Sequence, residues 1–206
     1  VYTNPANTVI GTRAFSQDAA TAAAMAGAMA QGLQAQGILP TLKHFPGHGD
    51  TAEDSHSGLA YSHRTKEEML QCEFLPFMQP TQGEGGIGPH AIMVGHIAAP
   101  ALDGDTPASL SYPIVTGLLR GELLQGEDVL VVTDSLAMGA ITEQYAPAEA
   151  AVQALNAGCD ILLMPDGLTE AFDGVVAAVE NGTISEERLN ESVARILRVK
   201  QQYAGL

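Results

Sequence analysis

Short apolar runs and longer amphipathic stretches take turns along this chain. The alanine-rich stretch 17–36 predicts a helix capped by Ser16 and closed by Gly37. Residues 38–43 form a short, mostly apolar run that leads straight into a segment carrying Pro46, Gly47 and Gly49. Thr65-Lys66-Glu67-Glu68 reads as a capping box opening a helix to about Met78. A polar, glycine-rich loop over 81–88 precedes 91–95, a buried strand by its length and flanks. Pro113 starts a helix that runs to about Leu124, and 129–133 is the clearest strand. Helix 148–157, a strand in 160–164 and helix 168–181 follow. Ser185 caps the last helix, with Glu186 and Glu187 in its first turn and Arg195, Arg198 and Lys200 near its end, a charge order that complements the helix dipole.

Strands alternating with helices, and apolar on both faces, predict an α/β fold with a parallel sheet covered by helices. The four expected strands lie near 39–43, 91–95, 129–133 and 161–164. Polar candidates follow the first three: the Lys43–Asp54 region, His96 and Asp134. Active sites gather at the carboxyl ends of parallel strands in barrels and open sheets alike.

The chain has 206 residues, 46% of them hydrophobic, enough for one domain with a real core. Its net charge of −15 and nine scattered basic residues argue against nucleic acid and anionic membrane surfaces. No run of about 18 apolar residues is present to span a bilayer. The first residues do not read as a signal peptide, and the absence of an initiator Met suggests a processed or truncated chain. Cys72 and Cys159 read as two free, partly buried thiols. The compartment stays open, with cytoplasm favoured over export.

The densest chemistry is Lys43-His44-Phe45-Pro46-Gly47-His48-Gly49 followed by Asp54-Ser55-His56. Two glycines and a proline forbid a regular helix there, so this is a shaped loop. Asp54 and His56 are close enough for the carboxylate to set the imidazole's protonated nitrogen, which makes His56 a candidate general acid/base. A metal site of His44, His48, His56 and Asp54 is the rival, although Pro46-Gly47 keeps the histidines off one helix face. His48 and Gly49 are expected to shape the loop, with Gly49 letting it move. Asp134, at a strand end, suits either a nucleophile or a helix N-cap. Lys43 alone suits a snorkelling strand-end lysine and Arg13 a structural salt bridge. Met138 suits a pocket wall or the core, and His96 a pocket or a buried, hydrogen-bonded site. His63 and His90 read as solvated.

KHFPGHG-x4-D-S-H resembles the signature of family 3 glycoside hydrolases of the β-N-acetylhexosaminidase type, ten matched positions over fourteen residues. Asn4-Pro5-x4-Ile10-Gly11-x-Arg13-x-Phe15-Ser16-x-Asp18 and Val132-Thr133-Asp134-Ser135-Leu136-Ala137-Met138 carry the resemblance further, although the family more often has an acidic residue where Ser135 stands. It implies a (β/α)8 TIM-barrel catalytic domain of about 250 residues. This chain, 1–206, would then be a single partial-barrel domain covering the later strands, with the early ones supplied by a missing N-terminal segment or a partner chain. It implies Asp134 as nucleophile, His56 as acid/base with Asp54 its orienter, and Arg13, Lys43 and His44 on the sugar. It also implies removal of terminal β-N-acetylglucosamine from peptidoglycan fragments, with retention and no cofactor. A sugar-binding carboxylate that the family draws from the early strands is absent here. A non-catalytic, muropeptide-binding domain and phosphorolysis stay open as alternatives.

Overall fold

Runs rich in Val, Ile and Leu expose backbone hydrogen-bonding groups that only a neighbouring strand can satisfy while both faces are buried. In the computed structural model, which describes residues 1–51, 58–78, 90–125 and 127–204, they do so in parallel. The strands are β1 (Thr41–Phe45), β2 (Ala60–Tyr61), β3 (Ala91–Val94), β4 (Ile97–Ala98) and β5 (Leu130–Thr133). The main sheet has the order β1-β3-β5, and β2 pairs in parallel with β4 beyond its carboxyl end. β3 and β5 run in unbroken register from Ala91↔Leu130 to Val94↔Thr133.

Two strands differ from expectation. β1 reaches Phe45, so His44 lies on the strand rather than after it, and Lys43 lies within the strand rather than at its end. Phe45 explains the extension: it is fully buried and rings it with Phe74 and Phe77. The strand expected at 161–164 is a single parallel bridge between Ile161 and Val132. There the Asp160 carboxylate takes the Val131 N–H, and Met164 at φ 47 ends the extended backbone. The segment still occupies the fourth position in the array, since Thr133 N–H donates to Ile161 and Leu136 N–H to Leu163.

The helices are α1 (Ala19–Gln34), α2 (Lys66–Gln71), α3 (Leu75–Met78), α4 (Pro100–Asp103), α5 (Gly139–Thr142), α6 (Pro147–Ala157), α7 (Leu168–Glu180) and α8 (Glu186–Ala204). The cap of α1 is Asp18, which accepts from Thr21 N–H; Ser16 instead accepts from Asp18 N–H. The capping box at Thr65 forms, but its helix breaks between α2 and α3. Pro76 has no N–H for the Cys72 carbonyl and its ring would strike it. Pro113–Leu123 is wound as a π-helix, closed by Leu124 N–H donating to the Leu119 carbonyl five residues back. Ser185 caps α8 through Arg188 N–H, but no basic residue lies in its last turn. Arg195 reaches sideways to Asp128 and Asp160 instead.

One apolar cluster runs from Ala30 through all three main strands to Cys159. Cys159 is buried and Cys72 half-buried, both as free thiols. Large apolar side chains stay exposed on α1 (Met25, Met29) and on the last two helices (Leu168, Phe172, Val176, Val193, Leu197). Among the described residues no helix is long and apolar enough to cross a membrane.

Candidate active site

Asp134 follows β5 directly. Its N–H continues the ladder to the Val94 carbonyl at 2.8 Å, and its Oδ1 accepts from Ser135 N–H at 2.8 Å. That leaves Oδ2 directed at β1, where His44 Nε2 stands 3.7 Å away. His44 reaches this point through a bulge. Between the pairs Leu42↔Ile92 and Phe45↔Val94, Lys43 and His44 together oppose Met93 alone. An extra residue of this kind bends the strand and re-aims its side chains. Gly95 gives His44 its room, because a Cβ there would lie 3.3 Å from the His44 Cβ.

Burial lowers the His44 pKa to about 4, Asp134 opposing and Lys43, His48 and Arg13 reinforcing the shift. At neutral pH the contact is therefore between a carboxylate and a neutral imidazole. The unfolded chain binds a proton at His44 between about 4 and the ordinary 6.5, and the native chain does not. The stability held in this group is thus fully present above pH 6.5 and lost as pH falls toward 4. The loss is of order 3 kcal/mol. Urea unfolding of the wild type and of His44→Gln across this window checks it: the wild type should lose more stability on acidification than the variant, and parallel curves would contradict the assignment.

Arg13, Lys43, His44 and His48 line one end of a cavity of about 310 Å³, whose other end is apolar and runs between α1 and β1 to Leu33 and Pro40. Arg13 ends a 3-10 turn, Gly11–Arg13, and its Nη2 donates to the Val9 carbonyl. Lys43 is exposed. Met138 is buried, four residues after Asp134, at the start of α5. Asp54 and His56 lie outside the described residues.

The flanks of that segment are described, and they are anchored. Asn7, buried, donates to the carbonyls of His48 (2.7 Å) and Thr51 (2.8 Å), while its Oδ1 accepts from Ile10 N–H (2.8 Å). One amide therefore joins the base of the histidine loop to the Arg13 turn. His48 is buried, its Nδ1 2.7 Å from the Thr51 hydroxyl, in the loop-shaping role expected of it. Gly49 is not a hinge. Thr3 and Asn4 N–H both donate to its carbonyl, and a Cβ there would sit 1.7 Å from the Val1 carbonyl oxygen, so the residue is needed for close backbone approach. Arg64 pairs with Asp50 at 3.1 Å and with buried Glu73 at 3.3 Å, the latter without hydrogen-bond geometry. Burial raises the Glu73 pKa against the pull of Arg64. On the far side, pairing of β2 with β4 closes the loop.

Sequence reasoning did not find Asn7, Glu73 or Asp160; a lone Asn, Glu or Asp carries no periodic signal. His90, expected in solvent, is buried at 2% exposure because the chain enters β3 beneath Leu130, whose N–H it binds through its carbonyl. His63 is exposed as expected. His96 is the buried, hydrogen-bonded histidine of its two alternatives. The rings of His44 and His48 meet edge to face, 5.9 Å apart, and among the described residues no three His, Cys, Asp or Glu side chains converge as metal ligands.

Residues 1–199 match the glycosyl hydrolase family 3 N-terminal domain. The chain is 36% identical over 220 residues to the β-hexosaminidase A of Pseudoalteromonas piscicida, covering 97% of this chain and 36% of that protein. It is 37% identical over 208 residues to the β-hexosaminidase LpqI of Mycobacterium tuberculosis, covering 98% of this chain and 52% of that one. A solved family 3 β-N-acetylglucosaminidase from Paenibacillus sp. str. FPU-7 superposes with a TM-score of 0.92 at 42% identity, covering 99% of this chain and 38% of that structure. The chain thus spans about half, or less, of the length of these relatives. The likeness makes its parallel array part of a TIM-barrel-type α/β fold.

Proposed function

The chain belongs to glycosyl hydrolase family 3 through its N-terminal domain, and from that premise we propose that it carries the catalytic chemistry of a retaining β-N-acetylglucosaminidase. Residues 1–206 act in this reading as one domain, its single large core supporting that view. Asp134 is the nucleophile and His56 the acid/base, oriented by Asp54. Arg13, Lys43 and His44 hold the sugar, and Met138 backs the pocket. The observation that carries the reading is the meeting of a strand-end carboxylate with His44 at 3.7 Å, beside a cavity lined by Arg13 and Lys43.

In the first step an Asp134 oxygen attacks the anomeric carbon from the face opposite the aglycone. The glycosidic bond breaks, and its oxygen takes the proton from His56. In the second, His56 removes a proton from water, the hydroxide oxygen bonds the anomeric carbon, and the Asp134 carboxylate leaves. Two inversions give retention. An imidazole with an ordinary pKa near 6.5 can serve both roles near neutral pH. The substrate class is β-N-acetylglucosaminides of the kind found in peptidoglycan fragments. Water as acceptor is distinguished from phosphate by whether inorganic phosphate raises the rate.

His56→Ala should slow poor leaving groups by on the order of 10²-fold or more and activated aryl ones far less, because acid assistance matters least when the leaving group is good. Rates for a series of aryl β-N-acetylglucosaminides check this, and a uniform loss would contradict the role. The alternative reading is a domain that binds muropeptide without turnover. Equal aryl release by the wild type and Asp134→Ala would select it.

A further inference from the structure

His96 is fully buried between β3 and β4, and its two ring nitrogens are both engaged. Nε2 lies 2.8 Å from the Ser135 carbonyl oxygen and Nδ1 2.7 Å from the Ser109 hydroxyl. A carbonyl only accepts, so Nε2 carries the proton. Burial lowers the His96 pKa, which keeps the ring neutral; Nδ1 therefore presents a lone pair, and the Ser109 hydroxyl donates to it. The chain of donors runs in one direction, from Ser109 through His96 to Ser135.

Its end point is the residue after Asp134. Ser135 N–H donates to Asp134 Oδ1 at 2.8 Å, and the Ser135 carbonyl accepts from Met138 N–H at 3.1 Å as well as from His96. The His96 side chain thus ties this turn to the segment between β3 and β4. We propose that His96, as the neutral Nε2–H tautomer that the Ser135 carbonyl requires and the Ser109 hydroxyl supports, is a positioning residue that fixes the Ser135 turn and through it the direction of the Asp134 carboxylate. The inference rests on Asp134 being the nucleophile. It assigns His96 no contact with sugar and no proton transfer.

The test uses the purified protein and four variants: His96→Leu, His96→Gln, Ser109→Ala and Asp134→Ala. Measured are kcat and KM for an aryl β-N-acetylglucosaminide, Kd for free N-acetylglucosamine, and Tm. His96→Leu should lower kcat by roughly 10–100-fold, the range usual for residues that orient a reacting group, with Kd little changed. His96→Gln, whose amide can donate to the Ser135 carbonyl, should recover most of that loss. Ser109→Ala, nearly isosteric, leaves Nδ1 without its donor, loosens the ring and should cost about 3–10-fold in kcat by loss of one neutral hydrogen bond, which keeps the test alive if His96→Leu does not fold. Full kcat in His96→Leu or in Ser109→Ala, or equal losses in the Leu and Gln variants that track Tm and Kd, would overturn the inference while Asp134→Ala stays inactive. An active Asp134→Ala would overturn the proposed function, and this inference with it.

Discussion

Asp134→Ala is expected to lower kcat for an aryl β-N-acetylglucosaminide by on the order of 10³-fold or more, with little change in Tm. The size follows from the loss of a covalent path: without the carboxylate, water must displace the aglycone in one step that this site is not shaped for. The small stability effect follows from where Asp134 sits. Its side chain is partly exposed, its only described hydrogen bond is to the adjacent Ser135 N–H, and the ladder bond to Val94 uses the backbone, which Ala keeps. Activity assays beside thermal unfolding check both halves. Full turnover in the variant would move the nucleophile elsewhere, and a large drop in Tm would make Asp134 a structural residue.

Asp160→Ala should have the largest effect on stability, about 3–5 kcal/mol, because it strips the carboxylate from a buried cationic cluster. Asp160 Oδ2 accepts from Arg120 at 2.6 Å and from Val131 N–H at 2.9 Å; Oδ1 accepts from Ser192 at 2.6 Å and Arg195 at 3.1 Å, with Arg188 at 3.8 Å. Burial and its arginine neighbours already press the Arg188 pKa downward, with Asp160 the main opposing charge. Removing Asp160 leaves three guanidinium groups facing one another and a strand N–H without its acceptor. The cluster joins the π-helix, β5 and α8, so it also braces the strand that ends in Asp134. Urea unfolding measures the loss, and Asp160→Asn should retain part of the stability because it keeps an acceptor. A cost below about 1 kcal/mol for Asp160→Ala would reduce the cluster to a surface ornament.

The strands and long helices were legible because each needs only local pattern: 129–132 is apolar throughout, and 148–157 follows a proline and precedes a glycine. Errors fell where a tertiary partner decided the outcome. Ser16 and Asp18 both suit a cap, and nothing local says which one will meet Thr21. Lys43 and His44 look too polar for a strand, yet Phe45 beyond them must be buried, and the bulge reconciles the two. His90 has the flanks of a loop residue but lies beneath a neighbouring strand. At the site, the motif made His44 and Asp134 legible as candidates, not their approach across ninety positions of sequence. Asn7 and Asp160 were invisible for the same reason: Asp160, and Asn7 through its amide N–H groups, act on partners more than twenty-five residues away.

Covalent trapping tests the central assignment most directly. In His56→Ala the second step lacks its base, so an aryl β-N-acetylglucosaminide with a good leaving group should load the protein faster than water clears it. Acid-quenched, proteolysed protein examined by mass spectrometry should carry one N-acetylhexosamine on the peptide containing Asp134, and none in Asp134→Ala made in the same background. An adduct on a different carboxylate, or one that persists without Asp134, would contradict the account.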